Sequence, residues 1–317
     1  MVKIAIAGGS GNVALEVIDA LVATKKHEIL LLSRKNVPAV DARPGVTWVK
    51  TSYQDPKELM EILQGVHTVL SFIVTQSDPS NVSQKNLINA AIEAGVKRFA
   101  PSEWATSSFE HLTWYAGKAE IREYLKELNK DKKVLEYSLF LPGLFTNYFT
   151  YPYESAMHFR PFQTQIDFNK RRALTLDGGD DDRITLTTAQ DLANVVARAV
   201  EYEGEWPVVG GIKGTELSVG QLLALGEKVR GEPFHIERLK ADDLKVGLAK
   251  CSWLPTVDHP GIPREQAEAL APVLLAGMLL GTSAGVLKVT DEWNRLLPDY
   301  QFTQAEEFLT EAWRDKP

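Results

Sequence analysis

The chain has 317 residues, 44% of them hydrophobic and 24% charged, with a formal net charge of −7. These proportions are ordinary for a soluble globular protein, and an acidic balance without a basic block disfavours non-specific nucleic-acid binding. The length suits one large or two modest domains, and a single cysteine, Cys251, rules out an intramolecular disulfide and fits a reducing, cytoplasmic compartment.

Met1 leads straight into an apolar run, Lys3 to Ala7, which leaves no room for a signal or transit peptide. The run reads as a buried strand and is followed by the turn Gly8-Gly9-Ser10-Gly11-Asn12-Val13-Ala14. Leu15, Val17, Ile18, Leu21 and Val22 then recur at helical spacing. Strand, glycine turn and helix in this order let a pyrophosphate sit on the N–H groups of the helix N-terminus. Gly8 would make the tight turn, Gly11 would let phosphate approach, and Ala14 would let the helix lie on the strand. Asn12 and Val13 supply the first helical N–H groups. A plain strand-turn-helix is the alternative reading.

The second apolar run, Glu28 to Leu32, ends in Ser33-Arg34-Lys35. An acidic residue here would hold the 2′-hydroxyl of NAD, whereas a basic one accommodates the 2′-phosphate of NADP. Arg34 can make a planar two-bond contact with phosphate and Lys35 adds a point charge, so the strand end favours NADP(H). Two solvated surface cations are the bland alternative.

Asn36 to Gly45 reads as a polar loop and Val46 to Val49 as a third strand. Asp55-Pro56 starts a helix that Gly65 stops. Thr68 to Ile73, containing Ser71, is the fourth strand, and Thr75, Gln76 and Ser77 at its end should lie beside ribose and nicotinamide. Asn81 to Ala94 is a long helix closed by Gly95, and Arg98-Phe99-Ala100 is the fifth strand. This alternation predicts a parallel, doubly wound sheet.

A helix follows over Thr113 to Leu128, carrying Tyr115, Lys118 and Arg122 on one face. A lysine facing the cleft can orient the ribose or act as general acid/base if burial and a cationic neighbour such as Arg122 lower its pKa. The alternative is a solvated face, which is the reading for Glu120, Glu123, Lys126 and Glu127. The Tyr-x-x-x-Lys spacing of short-chain dehydrogenases is absent, since Trp114 lies four residues before Lys118.

Val134 to Leu141 reads as the sixth strand. Beyond Tyr151 the pattern loosens into aromatics and prolines suited to an apolar pocket or a small aromatic core. Ile184 to Thr187 resumes a strand, and helices are expected over Thr188 to Glu201, Ser218 to Arg230 and Gln304 to Trp313, the last capped by Thr303. The uncharged stretch Ala269 to Leu287 contains Pro272 and three glycines, so it reads as a poor helix that is buried or covers a pocket, not a membrane span. No His, Cys or carboxylate cluster has metal-ligand spacing, so no metal is expected.

Four blocks together resemble the NmrA-like, isoflavone reductase-like family of atypical short-chain dehydrogenases over nearly the whole chain. They are Gly8-x-x-Gly11-x-x-Ala14 with Arg34; Gln84 with Ala94 to Phe99 and Pro101-Ser102-Glu103-Trp104; Lys118-Ala119-x-x-Arg122; and Asp191-Leu192-Ala193 with Leu217-Ser218, Pro298-Asp299-Tyr300 and Glu306 to Leu309. Trp104-Ala105 stands where the family usually has Phe-Gly. The resemblance implies a Rossmann fold with a smaller C-terminal α+β substrate domain. The expected division is 1–150 for NADPH, rejoined by about 184–212, and 151–317 for substrate. It implies cofactor contacts from Gly8, Gly11, Asn12, Val13, Ser33, Arg34, Lys35, Ser71, Gln84, Ser102, Lys118 and Phe145. Lys118 would be the catalytic lysine, with Tyr115 beside it. The expected activity is NADPH-dependent reduction of a small aromatic or polyketide-like metabolite by a monomer or homodimer. A regulator that senses NADP(H) without turnover, and a non-redox isomerase or cyclase on the same fold, are the alternatives.

Overall fold

The computed structural model describes residues 2–35, 43–256 and 264–317, the side chains of 264–267 excepted. Most of the expected loop between Asn36 and Gly45 therefore lies outside the described residues. Six parallel strands form the main sheet: β1 (Lys3–Ala7), β2 (Glu28–Ser33), β3 (Val46–Lys50), β4 (Thr68–Ser71), β5 (Arg98–Ala100) and β6 (Glu136–Tyr137). Their order is β3-β2-β1-β4-β5-β6, the doubly wound arrangement expected from the alternation. β1 sits between β2 and β4, with Ala5 opposite Leu30 on one side and Val69 on the other. Both sheet faces are covered, which is why β1 and β2 read as unbroken apolar runs. The strand order reverses at β1 and β4, so a crevice opens at their carboxyl ends.

α1 (Asn12–Thr24) and α5 (Ala189–Glu201) cover one face, packing Val17, Ile18 and Leu21 with Leu192, Val195 and Val196 onto Ile4 and Ile6. α2 (Pro56–Ile62), α3 (Val82–Glu93) and α4 (Ala116–Leu128) cover the other, burying Leu59, Leu87, Ile88, Ile121 and Leu125 against Ala5, Leu30 and Val69. The start signals work as the sequence suggests. Asp55 accepts from the N–H of Lys57 at 2.9 Å, and Thr188 accepts from that of Asp191 at 3.0 Å. Ser218 and Gln221 close a reciprocal cap on α6 (Val219–Arg230).

The expected sixth strand is two strands. Val134 and Leu135 give their N–H groups to the Asn129 side chain, so pairing starts only at Glu136. Beyond Ser138 the chain leaves β5, and β7 (Leu139–Leu141) pairs with β12 (Val209–Gly211). β8 (Leu144–Phe145) pairs with β11 (Arg183–Thr187), whose other neighbour is β13 (Thr215–Ser218). A third small sheet joins β9 (Ile166–Asp167), β10 (Arg172–Leu176) and β14 (His235–Leu239). α7 (Ala241–Lys245), α8 (Arg264–Ser283), α9 (Glu292–Leu296) and α10 (Ala305–Ala312) complete the chain.

α8 corrects the reading of Ala269 to Leu287 as a poor helix: it runs through Pro272 and ends only at Ser283. Its glycines are contact points. A Cβ on Gly277 would stand 2.6 Å from the Trp114 ring and 2.7 Å from the His111 carbonyl oxygen. Leu275, Leu279 and Leu280 bury the same helix in a small core with Leu174, Leu176, Leu239 and Leu244. Among the described residues no helix is long and apolar enough to cross a membrane. Thr303 does not cap α10 with its side chain. Its N–H and hydroxyl both go to the buried Asp191 carboxylate, at 3.1 and 3.3 Å. Cys251 is half-exposed, with its thiol 3.7 Å from the Ala249 carbonyl.

Candidate functional site

Gly8 has φ +70°, and a Cβ there would lie 2.7 Å from the Phe72 carbonyl group, so only glycine fits where β1 turns against the end of β4. Its N–H donates to the Tyr53 hydroxyl at 3.1 Å, and that hydroxyl donates to the Leu32 carbonyl at 2.8 Å. Burial pushes the Tyr53 phenol up to about 12, so it keeps the proton that the second bond needs. The sequence reading missed Tyr53, because a lone tyrosine after a strand carries no periodic signal. Gly11 closes the turn with its N–H on the Gly8 carbonyl at 3.1 Å and precedes α1 without a side-chain cap. A Cβ on Gly11 would meet only the Gly8 carbonyl oxygen, at 3.4 Å. Gly11 and Asn12 are exposed and Val13 half-buried, leaving first-turn N–H groups available to an anion. At the end of β2 the buried Ser33 hydroxyl accepts from the Lys35 N–H at 3.1 Å, while the Arg34 and Lys35 side chains are exposed. These groups fit a dinucleotide phosphate and its 2′-phosphate.

Ser71 lies opposite Ala7 in the sheet register, and its carbonyl accepts from the Trp104 indole at 2.7 Å. Trp104 has φ +47°, costly for a bulky residue. Stacking on Phe72 at 4.3 Å and on Phe140 at 5.5 Å holds it there. Gln84, buried on α3, accepts the Ser102 N–H at 2.8 Å, so its side-chain carbonyl braces the loop after β5.

That loop meets Lys118. The buried Lys118 ammonium donates to the Ser102 and Glu103 carbonyls, each at 2.6 Å, and lies 5.1 Å from the Tyr115 ring centre. Burial lowers its pKa from the ordinary 10.5 to about 8; the Glu103 carboxylate opposes this and the Arg122 guanidinium adds to it. Tyr115 is raised, chiefly by burial. The expected helix over Thr113 to Leu128 begins as a tight 3-10 turn, Thr113–Tyr115, before α4 proper. The segment Thr75–Ser77 packs against this start: Gln76 donates to the Trp114 carbonyl and Asn81 to the Gly117 carbonyl. Glu120, Glu123, Lys126 and Glu127 are exposed, as expected.

Phe145 is buried on β8, 4.8 Å from Phe159 and 5.9 Å from Tyr148. The Tyr148 ring also lies tilted against Phe162 at 4.2 Å, and burial with Tyr115 nearby keeps its phenol protonated. This aromatic wall is tied to α1, because Glu16 accepts the N–H groups of His158 and Phe159 at 2.6 and 2.9 Å. In sequence Glu16 looks like an ordinary charge on an amphipathic helix. A separate groove of about 380 Å³, lined by Thr215, Leu217, Leu225 and Lys228, contains none of the candidate site residues described above. Among the described residues no group of three or more His, Cys, Asp or Glu could hold a metal ion.

The model of the NmrA-like family matches residues 2–280. The chain belongs to the NmrA-like family. Oxidoreductase BOA1 of Botryotinia fuckeliana is 31% identical over 239 residues, 73% of this chain and 77% of its own. Oxidoreductase swnN of Metarhizium robertsii is 26% identical and spans 99% of this chain and 98% of its own. Leucoanthocyanidin reductase from Vitis vinifera, in a ternary complex, superposes with a TM-score of 0.71 at 17% identity, covering 99% of this chain and 100% of its own. The same reductase has been solved with NADPH, with a TM-score of 0.67. This NmrA-like chain is thus an oxidoreductase on a Rossmann-type fold.

Proposed function

We propose that this chain is an NADPH-dependent reductase of a small aromatic or polyketide-like molecule. Gly8, Gly11, Asn12 and Val13 would hold the pyrophosphate, and Arg34 with Lys35 the 2′-phosphate. Ser71 and Ser102 would border the nicotinamide end, with Phe145 beneath it. When bound, the cofactor supplies the hydride. Lys118 orients ribose or substrate and moves the proton at its ammonium nitrogen. The aromatic wall of Tyr148, Phe159 and Phe162 offers planar rings a stacking surface.

One observation carries this reading: Lys118 is buried, fixed by two carbonyls at the end of β5, and poised near neutral pH. A group with its pKa near the working pH is suited to general acid/base work. The test is Lys118→Ala, with NADPH affinity measured by fluorescence and turnover by NADPH absorbance against aromatic ketones, enones and benzylic ethers. Turnover should fall about 10²–10⁴-fold with cofactor affinity nearly kept. Near wild-type turnover in the variant sinks the assignment. Tight NADPH binding by the wild type with no turnover anywhere in the panel would favour the sensor instead.

A further inference from the structure

Among the buried charges that the proposed mechanism leaves unused, Glu103 lies nearest Lys118 in the chain. Glu103 is 1% exposed, and its Oε2 receives the Arg122 guanidinium at 2.6 Å, while its Oε1 has no hydrogen-bond partner. A carboxylate oxygen left bare in the interior is destabilising unless its charge is used nearby. Arg122 cannot follow it elsewhere. Its guanidinium also donates to the Thr106 carbonyl at 3.0 Å and the Ser107 carbonyl at 2.8 Å, and lies 4.0 Å from the Phe109 ring centre. Lys118 and Arg122 stand one helical turn apart on α4, so without Glu103 two cations would face each other in a largely buried place.

We propose that Glu103 is a positioning residue: its buried carboxylate, clamped by Arg122, is the counter-charge that favours the protonated form of Lys118, whose ammonium the Ser102 and Glu103 carbonyls hold after β5. The Glu103 backbone contributes as well, since its carbonyl takes one of the Lys118 protons. The charged and titratable groups facing Lys118 are Glu103 from the β5 loop, Arg122 from its own helix and Tyr115 from the preceding turn. Tyr148 lies behind Tyr115 and stays neutral. Glu103 opposes loss of the Lys118 proton and Arg122 promotes it.

The two partners therefore push in opposite directions. Inference and test rest on the reading of Lys118 only for their consequence in turnover, so the direct readout is its titration in protein carrying 13Cε-labelled lysine. The Lys118 signal is assigned by its loss in Lys118→Arg, and each variant is checked by thermal melting. Glu103→Gln should lower the Lys118 midpoint by about one pH unit or more, and Arg122→Met should raise it. Midpoints that stay in place in the folded variants, or move the same way in both, overturn the proposal. If Glu103→Gln does not fold, the rise in Arg122→Met decides alone. Opposite shifts combined with full turnover in Lys118→Ala would uphold Glu103 as counter-charge and remove the catalytic reading.

Discussion

A single phenol oxygen joins the end of β1 to β2 at the glycine turn. Tyr53 links the Gly8 N–H to the Leu32 carbonyl, and Gly8 in turn leans on Phe72. Tyr53→Phe would leave both backbone groups without a partner, at about 1–3 kcal/mol. Urea unfolding should register that loss, and a fluorescence titration should give NADPH binding several-fold weaker; an unchanged midpoint and affinity would refute the role. The residues legible in the sequence were those with a local requirement. Gly8 needs a conformation that side chains avoid, and Arg34 ends a strand. Tyr115, Lys118 and Arg122 share a helix face, though Arg122 meets Glu103 as well as lowering Lys118. Tyr53, Glu16 and Glu103 were not legible, because their meaning comes from partners 19 to 143 residues away. Trp104 was visible as a departure from the family pattern, but its indole bond to Ser71 was not.

Among the elements, α8 shows how a breaker signal misleads. Glycine within a helix usually costs about 1 kcal/mol relative to alanine, so Gly277→Ala would be expected to stabilise an isolated helix. Here the added Cβ would strike the His111 carbonyl and the Trp114 ring, and overpacking of that kind costs about 1–3 kcal/mol. The clash should win. Gly277→Ala should lower the melting temperature and disturb turnover through the Trp114–Lys118 segment. Gly281→Ala, whose Cβ would sit at 3.2 Å from the Glu110 carbonyl, should be much milder. Equal melting temperatures for the two variants would count against this contact. The split of β6 from β7 was hidden for a related reason. The Asn129 side chain and the Val208 carbonyl take N–H groups that one continuous strand would use in its ladder.

At the scale of the whole molecule, α1 joins two parts of the candidate site. The glycine turn lies at its start, and Glu16 one turn later holds His158 and Phe159 of the aromatic wall. Glu16→Ala removes two bonds to a charged acceptor, each worth about 1.5–3 kcal/mol. Amide exchange at His158 and Phe159 should quicken at least tenfold, with a higher KM for aromatic substrates; unaltered exchange would exclude the tether. The alternation of strands and helices made the main sheet readable from sequence, helped by β1 and β2, whose apolar runs are buried on both faces. The back half was less readable because its short strands pair across long separations. That pairing has a consequence during synthesis. Leu139–Leu141 has its hydrogen-bonding edge completed by Val209–Gly211, which leaves the ribosome roughly 4–14 s later at about 5–20 residues per second. For that interval the nascent chain carries an open apolar edge, the kind of surface that chaperones shield and that truncated products would offer to one another.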